Sequence, residues 1–223
     1  AEAVLPNGST LWSLPSTDED SPNNAVFVRL QLRNTVETDM FLSLLSAVLS
    51  SKFFDQLRTQ QQLGYIVAMQ NASTVQFCYL IAVVQTEFPP DYARARIDVF
   101  LDEQFNAMES EIEQEEFETC RQGVLSELKV QPKNLAEEMG RFSATFSSRS
   151  YDFDRVDRSI AFLESEECSL QALKDFVRES VKTAPFFYGQ VSKIMSKDDK
   201  ALPEGSETAV DPVSLRIWKT HAE

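Results

Sequence analysis

The sequence predicts an α+β domain, an antiparallel or mixed sheet with helices packed on one face. Three observations predict it. Val26, Val28, Leu30 and Leu32 alternate with Phe27, Arg29, Gln31 and Arg33, a period of two that marks a strand with one buried face. Two β-rich runs, 65–69 and 75–85, are separated by a polar turn and read as an antiparallel hairpin. Beyond Pro89-Pro90 the apolar residues change to helical spacing. A chain of 223 residues, 43% hydrophobic and with sixteen Phe, is long and apolar enough to bury a sizeable core.

The elements follow in order. Residues 11–14 predict a short strand, and the Ser-, Asp-, Pro- and Asn-rich stretch 15–24 predicts the loop after it. The alternating strand comes next. Met40/Phe41, Leu44/Leu45 and Val48/Leu49 recur every four residues, so this stretch is a core helix. A second helical piece through Phe53, Phe54 and Leu57 ends near Gly64, whose tolerance of positive φ suits a helix stop. In the hairpin the turn falls at Asn71-Ala72-Ser73-Thr74, and apolar residues on both faces around Tyr79 to Val84 imply a central, covered strand.

Three amphipathic helices are then expected: one on Ile97, Phe100, Leu101, Phe105 and Met108, one on Phe117, Cys120, Val124 and Leu128, and one on Leu135, Met139, Phe142 and Phe146. A shorter helix carries Val156, Ile160 and Leu163. Ser169 is the expected N-cap of the next, bearing Leu170, Leu173, Phe176 and Val177. Phe187, Gly189 and Val191 alternate as the last strand. This organisation predicts a single domain over 1–195, with a linker and C-terminal tail at 196–223 from which 213–219 packs back on the body. The start Ala1-Glu2-Ala3, without Met, suggests a fragment or a processed product.

Charge and cysteine usage exclude several functions. A net charge of −14 argues against a nucleic-acid partner, because phosphate binding depends on clustered Lys and Arg, and leaves a cationic or neutral peptide open. Cys78, Cys120 and Cys168 lie far apart with no C-x-x-C pair, so neither a disulfide framework nor a thiolate zinc site is indicated, and a cytoplasmic, reducing compartment is expected. No apolar run long enough to span a membrane and no leader pattern is visible.

Chemistry-bearing motifs are sparse. His221, the only histidine, falls in the tail, and neither orientation of a helix-borne zinc motif occurs. No bound metal or other cofactor is expected in this chain. No Gly-rich phosphate loop occurs. The acidic run Glu109, Glu111, Glu113, Glu115, Glu116 and Glu118 reads as a solvated helix junction, since no calcium loop interrupts it. Phe186, Phe187 and Tyr188 read as core packing of the last strand. Residues 53–67 read, by themselves, as a helix C-terminus feeding a strand, with Arg58 favourable to the helix dipole and Tyr65 half-buried.

That last segment, Leu57-Arg58-Thr59-x-x-x-Leu63-Gly64-Tyr65-x-Val67, resembles the hallmark of the final domain in the insulin-degrading enzyme, nardilysin and pitrilysin family of zinc metallopeptidases. Further pieces fall in the same order: Asn23-Asn24, Pro89-Pro90-x-Tyr92 leading to Phe100-Leu101, and Tyr151-x-Phe153-Asp154-Arg155. The resemblance implies the fourth, non-catalytic α+β domain of a zinc metalloendopeptidase that encloses peptides. The zinc would lie in the parent's N-terminal domain, and the partners would be the parent's other domains and a peptide substrate. Arg58 and Tyr65 would bind the peptide backbone beside the scissile bond as hydrogen-bond donors, with Gly64 setting the turn that aims Tyr65. Alone, such a chain is expected to be inactive. The alternative is a catalytically silent scaffold or assembly domain of a related complex, and self-association into a homo-oligomer stays open.

Overall fold

The alternating strand lies in the middle of the sheet, where its two faces meet different surroundings. In the computed structural model, which describes residues 4–5, 8–16, 21–192 and 216–217, this strand is β2 (Asn24–Arg33), preceded by β1 (Ser9–Pro15). With β3 (Val67–Ser73), β4 (Phe77–Thr86), β5 (Phe186–Ser192) and β6 (Arg216–Ile217) it forms a six-stranded mixed sheet in the order β3-β4-β2-β5-β1-β6. The pairs β3/β4, β4/β2 and β2/β5 are antiparallel, whereas β5/β1 and β1/β6 are parallel. The expected fold class is the observed one. The expected boundary at 195/196 and the tail that holds His221 lie outside the described residues, apart from β6.

Helices pack on one face. Val26, Val28 and Leu30 of β2, Cys78, Leu80, Ala82 and Val84 of β4, and Val67 and Met69 of β3 bury against α1 (Val36–Phe54) and α2 (Pro90–Ser110). Thr35 caps α1 by accepting from the Thr38 N–H at 3.1 Å, satisfying a donor that the first helical turn leaves open. Phe53 of α1 and Phe100 of α2 meet edge to face at 5.1 Å. A second layer of α3 (Gln114–Leu128) and α5 (Arg155–Glu164) covers α1, and α6 (Leu170–Phe176), capped by Ser169 as expected, leads back to β5.

The ordered sequence motifs acquire structural roles here. Asn24 donates to the Phe88 carbonyl at 2.9 Å and so joins the start of β2 to the entry of α2, where Pro90 sits at N1 and needs no N–H partner. Arg155 donates to Asn34 Oδ1 at 2.6 Å and to the Thr35 carbonyl and Asp39 Oδ2, both at 3.0 Å. It fastens α5 to the first turn of α1.

Four expectations change. The hairpin turn is Thr74–Gln76 and not 71–74, because Asn71 is held in β3, paired with Leu80 and donating to Ser43 Oγ at 2.9 Å. β4 is central as expected but not apolar-buried on both sides: Ile81 and Val83, on the face away from the helices, are only half-buried. Phe186 and Tyr188 join the core side, while Phe187 faces the opposite side with Phe27, at 6.3 Å. Finally α4 (Leu135–Ser148) forms, yet Leu135, Met139, Phe142 and Phe146 are all exposed; α4 stands off the core, and its rings pack against those of Tyr151 and Phe153.

Candidate functional site

α1 does not stop at Phe54. It widens into a π-helical segment, Asp55–Gln60, in which the Gln61 N–H reaches the Gln56 carbonyl at 3.0 Å. Such widened turns hold one residue more than an α-turn and recur at functional sites. Leu57 points into the core and is fully buried; Arg58, next in the chain, is left at the surface side. The chain then reverses at Gln62, with φ of 52°, and crosses Gly64 and Tyr65 to enter β3.

Gly64 is required for a different reason from the expected one. The left-handed residue is Gln62, and Gly64 instead lies against the end of β4: a Cβ added there would sit 1.7 Å from the Gln85 carbonyl oxygen. No side chain fits that gap. Two flanking bonds lock the approach, from Thr86 Oγ1 to the Leu63 carbonyl at 2.5 Å and from the Gln85 N–H to the Ile66 carbonyl at 2.8 Å. Arg96 of α2 donates to Gln61 Oε1 at 2.7 Å and holds the turn from the other side.

Arg58 closes the loop. Its Nη1 donates to the Gly64 carbonyl at 3.0 Å and to the Tyr65 carbonyl, while its guanidinium carbon lies 4.7 Å from the Tyr65 ring centroid and 5.5 Å from that of Phe54. A planar cation between two π faces is attracted to both. Tyr65 is 82% exposed and is therefore not the half-buried residue that the segment alone suggested. Arg58 and Tyr65 do come together, as a brace and the ring it carries. Phe54 and Gln85 belong to the same arrangement; Phe54 is readable as the i−4 neighbour of Arg58, whereas nothing local marks Gln85.

Among the described residues no cluster of three or more His, Cys, Asp or Glu is placed to hold a metal ion. The three cysteines are unpaired, and burial pushes the thiols of Cys78 and Cys168 up to about 12 and about 11, so both stay protonated. No helix among the described residues is long and apolar enough to cross a membrane.

An open-sheeted α+β domain that presents a braced tyrosine beside an edge strand is the class that fold and site define. Residues 44–143 match the family model described as PQQ synthase PqqF-like, C-terminal lobe domain 4. The chain is 30% identical over 172 residues to human insulin-degrading enzyme, covering 74% of this chain and 16% of that protein. It is 26% identical over 211 residues to protease 3 of Salmonella typhi, covering 94% and 21%. The crystal structure of pitrilysin superposes with a TM-score of 0.73 at 21% identity over 97% of this chain and 22% of that one. The chain belongs to the insulin-degrading enzyme and pitrilysin family and corresponds to a domain of its C-terminal lobe. It spans about a sixth to a fifth of the length of these curated relatives.

Proposed function

We propose that this domain is a non-catalytic part of a zinc metalloendopeptidase, presenting Tyr65 to a peptide held in an active site whose zinc belongs to an N-terminal domain of the parent. The observation that carries this reading is the braced exposure of Tyr65. Its ring stands 82% exposed on a loop fixed by Arg58, Gly64 and Gln85. A core tyrosine would not be exposed, and a merely decorative one would not need a guanidinium beneath it.

The chemistry follows from the donor types. A phenolic O–H held in an enclosed site donates to a peptide carbonyl and favours charge that develops on its oxygen during amide hydrolysis. Arg58 acts mainly as the positioning residue, because one of its terminal nitrogens is already engaged with the Gly64 and Tyr65 carbonyls. The described residues do not fit a zinc site, so no step of hydrolysis is assigned to this chain. Its partners are then the other domains of the parent and the enclosed peptide. The unpaired cysteines favour a reducing, cytoplasmic setting.

The test is made in the parent protein. Tyr65→Phe, which removes one hydroxyl and keeps the ring, should lower kcat/KM by on the order of 10²-fold, with thermal unfolding unchanged. An unchanged rate would return the domain to a scaffold role.

A further inference from the structure

The sheet face turned away from α1 and α2 carries a cation with no counter-charge among the described residues. Arg29 of β2 projects there, and its guanidinium carbon lies 4.5 Å from the ring centroid of Tyr79, 5.5 Å from that of Phe187 and 6.0 Å from that of Phe27. Its Nε is buried without a hydrogen-bond partner. Arg94, Arg121, Arg155, Arg158 and Arg178 each pair with a carboxylate; Arg29, like Arg33, Arg58, Arg96, Arg141 and Arg149, has no carboxylate partner among the described residues, although the chain holds 35 acidic residues against 21 basic ones.

A second orphan lies on the same row. Cross-strand register sets Thr10 beside Phe187 and Phe187 beside Arg29, and Thr10 Oγ1, in a residue 4% exposed, also lacks a partner. Buried donors are nearly always satisfied in native structures, and a charged donor is the most costly to leave open. Arg29 is the charged member of this row and the one an acceptor would satisfy; Thr10 lies two strand spacings away, roughly 9–10 Å, beyond reach of the same group.

We propose that Arg29, walled by Phe27, Tyr79 and Phe187, is a subsite for a peptide carboxylate. The geometry favours that class of ligand. Rings cover the faces of the guanidinium, so an acceptor approaches its edge, where parallel N–H groups match the two oxygens of a planar carboxylate. The apolar walls, continued by Trp12 on β1, suit a ligand whose acidic group is flanked by apolar side chains. The carboxylate comes from an Asp or Glu side chain or from a peptide C-terminus.

This proposal rests on the reading that the domain lines a peptide-holding enclosure, and binding is therefore measured without turnover. The probes are fluorescent peptides bound to the chelator-treated parent protein: one with an internal Glu and a C-terminal acid, one with Gln at that position, and one with a C-terminal amide. Wild type should bind the fully acidic peptide about tenfold more tightly than one of the two neutralised peptides, and which one identifies the source of the carboxylate. Arg29→Gln should abolish that preference and leave the neutral peptides unaffected, while Arg29→Lys should retain part of it. Equal binding of all three peptides by wild type, which needs no variant to fold, overturns the subsite alone. A preference that survives Arg29→Gln does the same. Binding of none of them overturns the peptide-holding reading and the subsite with it.

Discussion

The guanidinium of Arg58 and the ring of Tyr65 lie 4.7 Å apart, while the same guanidinium donates to the Tyr65 carbonyl. Arg58 thus holds both the backbone and the side chain of the residue seven positions later. Removing it should free the loop before it affects the core. In Arg58→Ala, amide exchange at 64–66 should rise by an order of magnitude or more while the core strands keep their protection. In the parent protein kcat/KM should fall, and Arg58→Lys should rescue it poorly, since an ammonium has no plane to lie between the Phe54 and Tyr65 rings.

Gly64→Ala should destabilise the domain by about 1–3 kcal/mol, the range for forcing extra volume into a packed site. The Cβ would meet a backbone oxygen that belongs to a central strand, so the loop rather than β4 should give way. Urea unfolding gives the stability, and the intrinsic fluorescence of Tyr65 relative to a Tyr65→Phe reference reports the displacement.

Asp98 supplies a pH signature. Burial raises its carboxyl from 3.8 to about 6, against the hydrogen bond from the Tyr188 hydroxyl at 2.9 Å and the nearby charge of Arg94, which lower it. The folded form then binds the proton more tightly than the unfolded form, so stability attributable to this group is complete below about pH 4 and is lost as pH rises through about 6. Asp98→Asn keeps an acceptor for Tyr188 and cannot ionise. Its unfolding free energy relative to wild type should therefore climb between pH 4 and pH 7, by on the order of 3 kcal/mol at most, and its melting temperature with it. A flat difference across that window would show that Asp98 is solvated.

Arg155→Ala should cost about 2 kcal/mol, because it leaves Asp39, only 13% exposed, without its partner and undoes two further bonds to the start of α1. The loss should be felt at α5 first. Proteolysis near Tyr151 and Phe153 ought to accelerate more than global unfolding does.

Leu135→Ser and Met139→Ser, by contrast, should shift stability by no more than about 0.5 kcal/mol, as surface substitutions do. Their periodicity is that of core residues, but α4 leaves them exposed. Denaturant titration of either variant decides the point.

These contrasts show what the sequence made legible. The alternation in β2 translated directly into a helix-facing and an open face because each strand residue has only two directions available. The Ser169 cap and the stripe of α2 were legible for the same local reason. Gly64 was found, but its cause was not: the glycine answers to the carbonyl of Gln85, 21 positions away in the chain, and a long-range close approach leaves no local mark. The pairing of Arg58 with Tyr65 came from resemblance, since it depends on a π-helical segment that apolar periodicity cannot separate from an ordinary helix. Phe187 was assigned to the core because an apolar residue in a strand says nothing of whether its face is covered.

The widened segment Asp55–Gln60 has a consequence for how such a site is gained or lost. An α-helix advances roughly 100° per residue, so an added residue turns everything downstream by that angle. The direction of Arg58 is therefore set by how many residues lie between Phe53 and Leu63 as much as by which residues they are. A one-residue deletion there would return the helix to regular winding and swing the guanidinium away from Tyr65, with each of Phe54, Arg58, Gly64 and Tyr65 still present. Length, in this loop, is a heritable switch that leaves every motif intact.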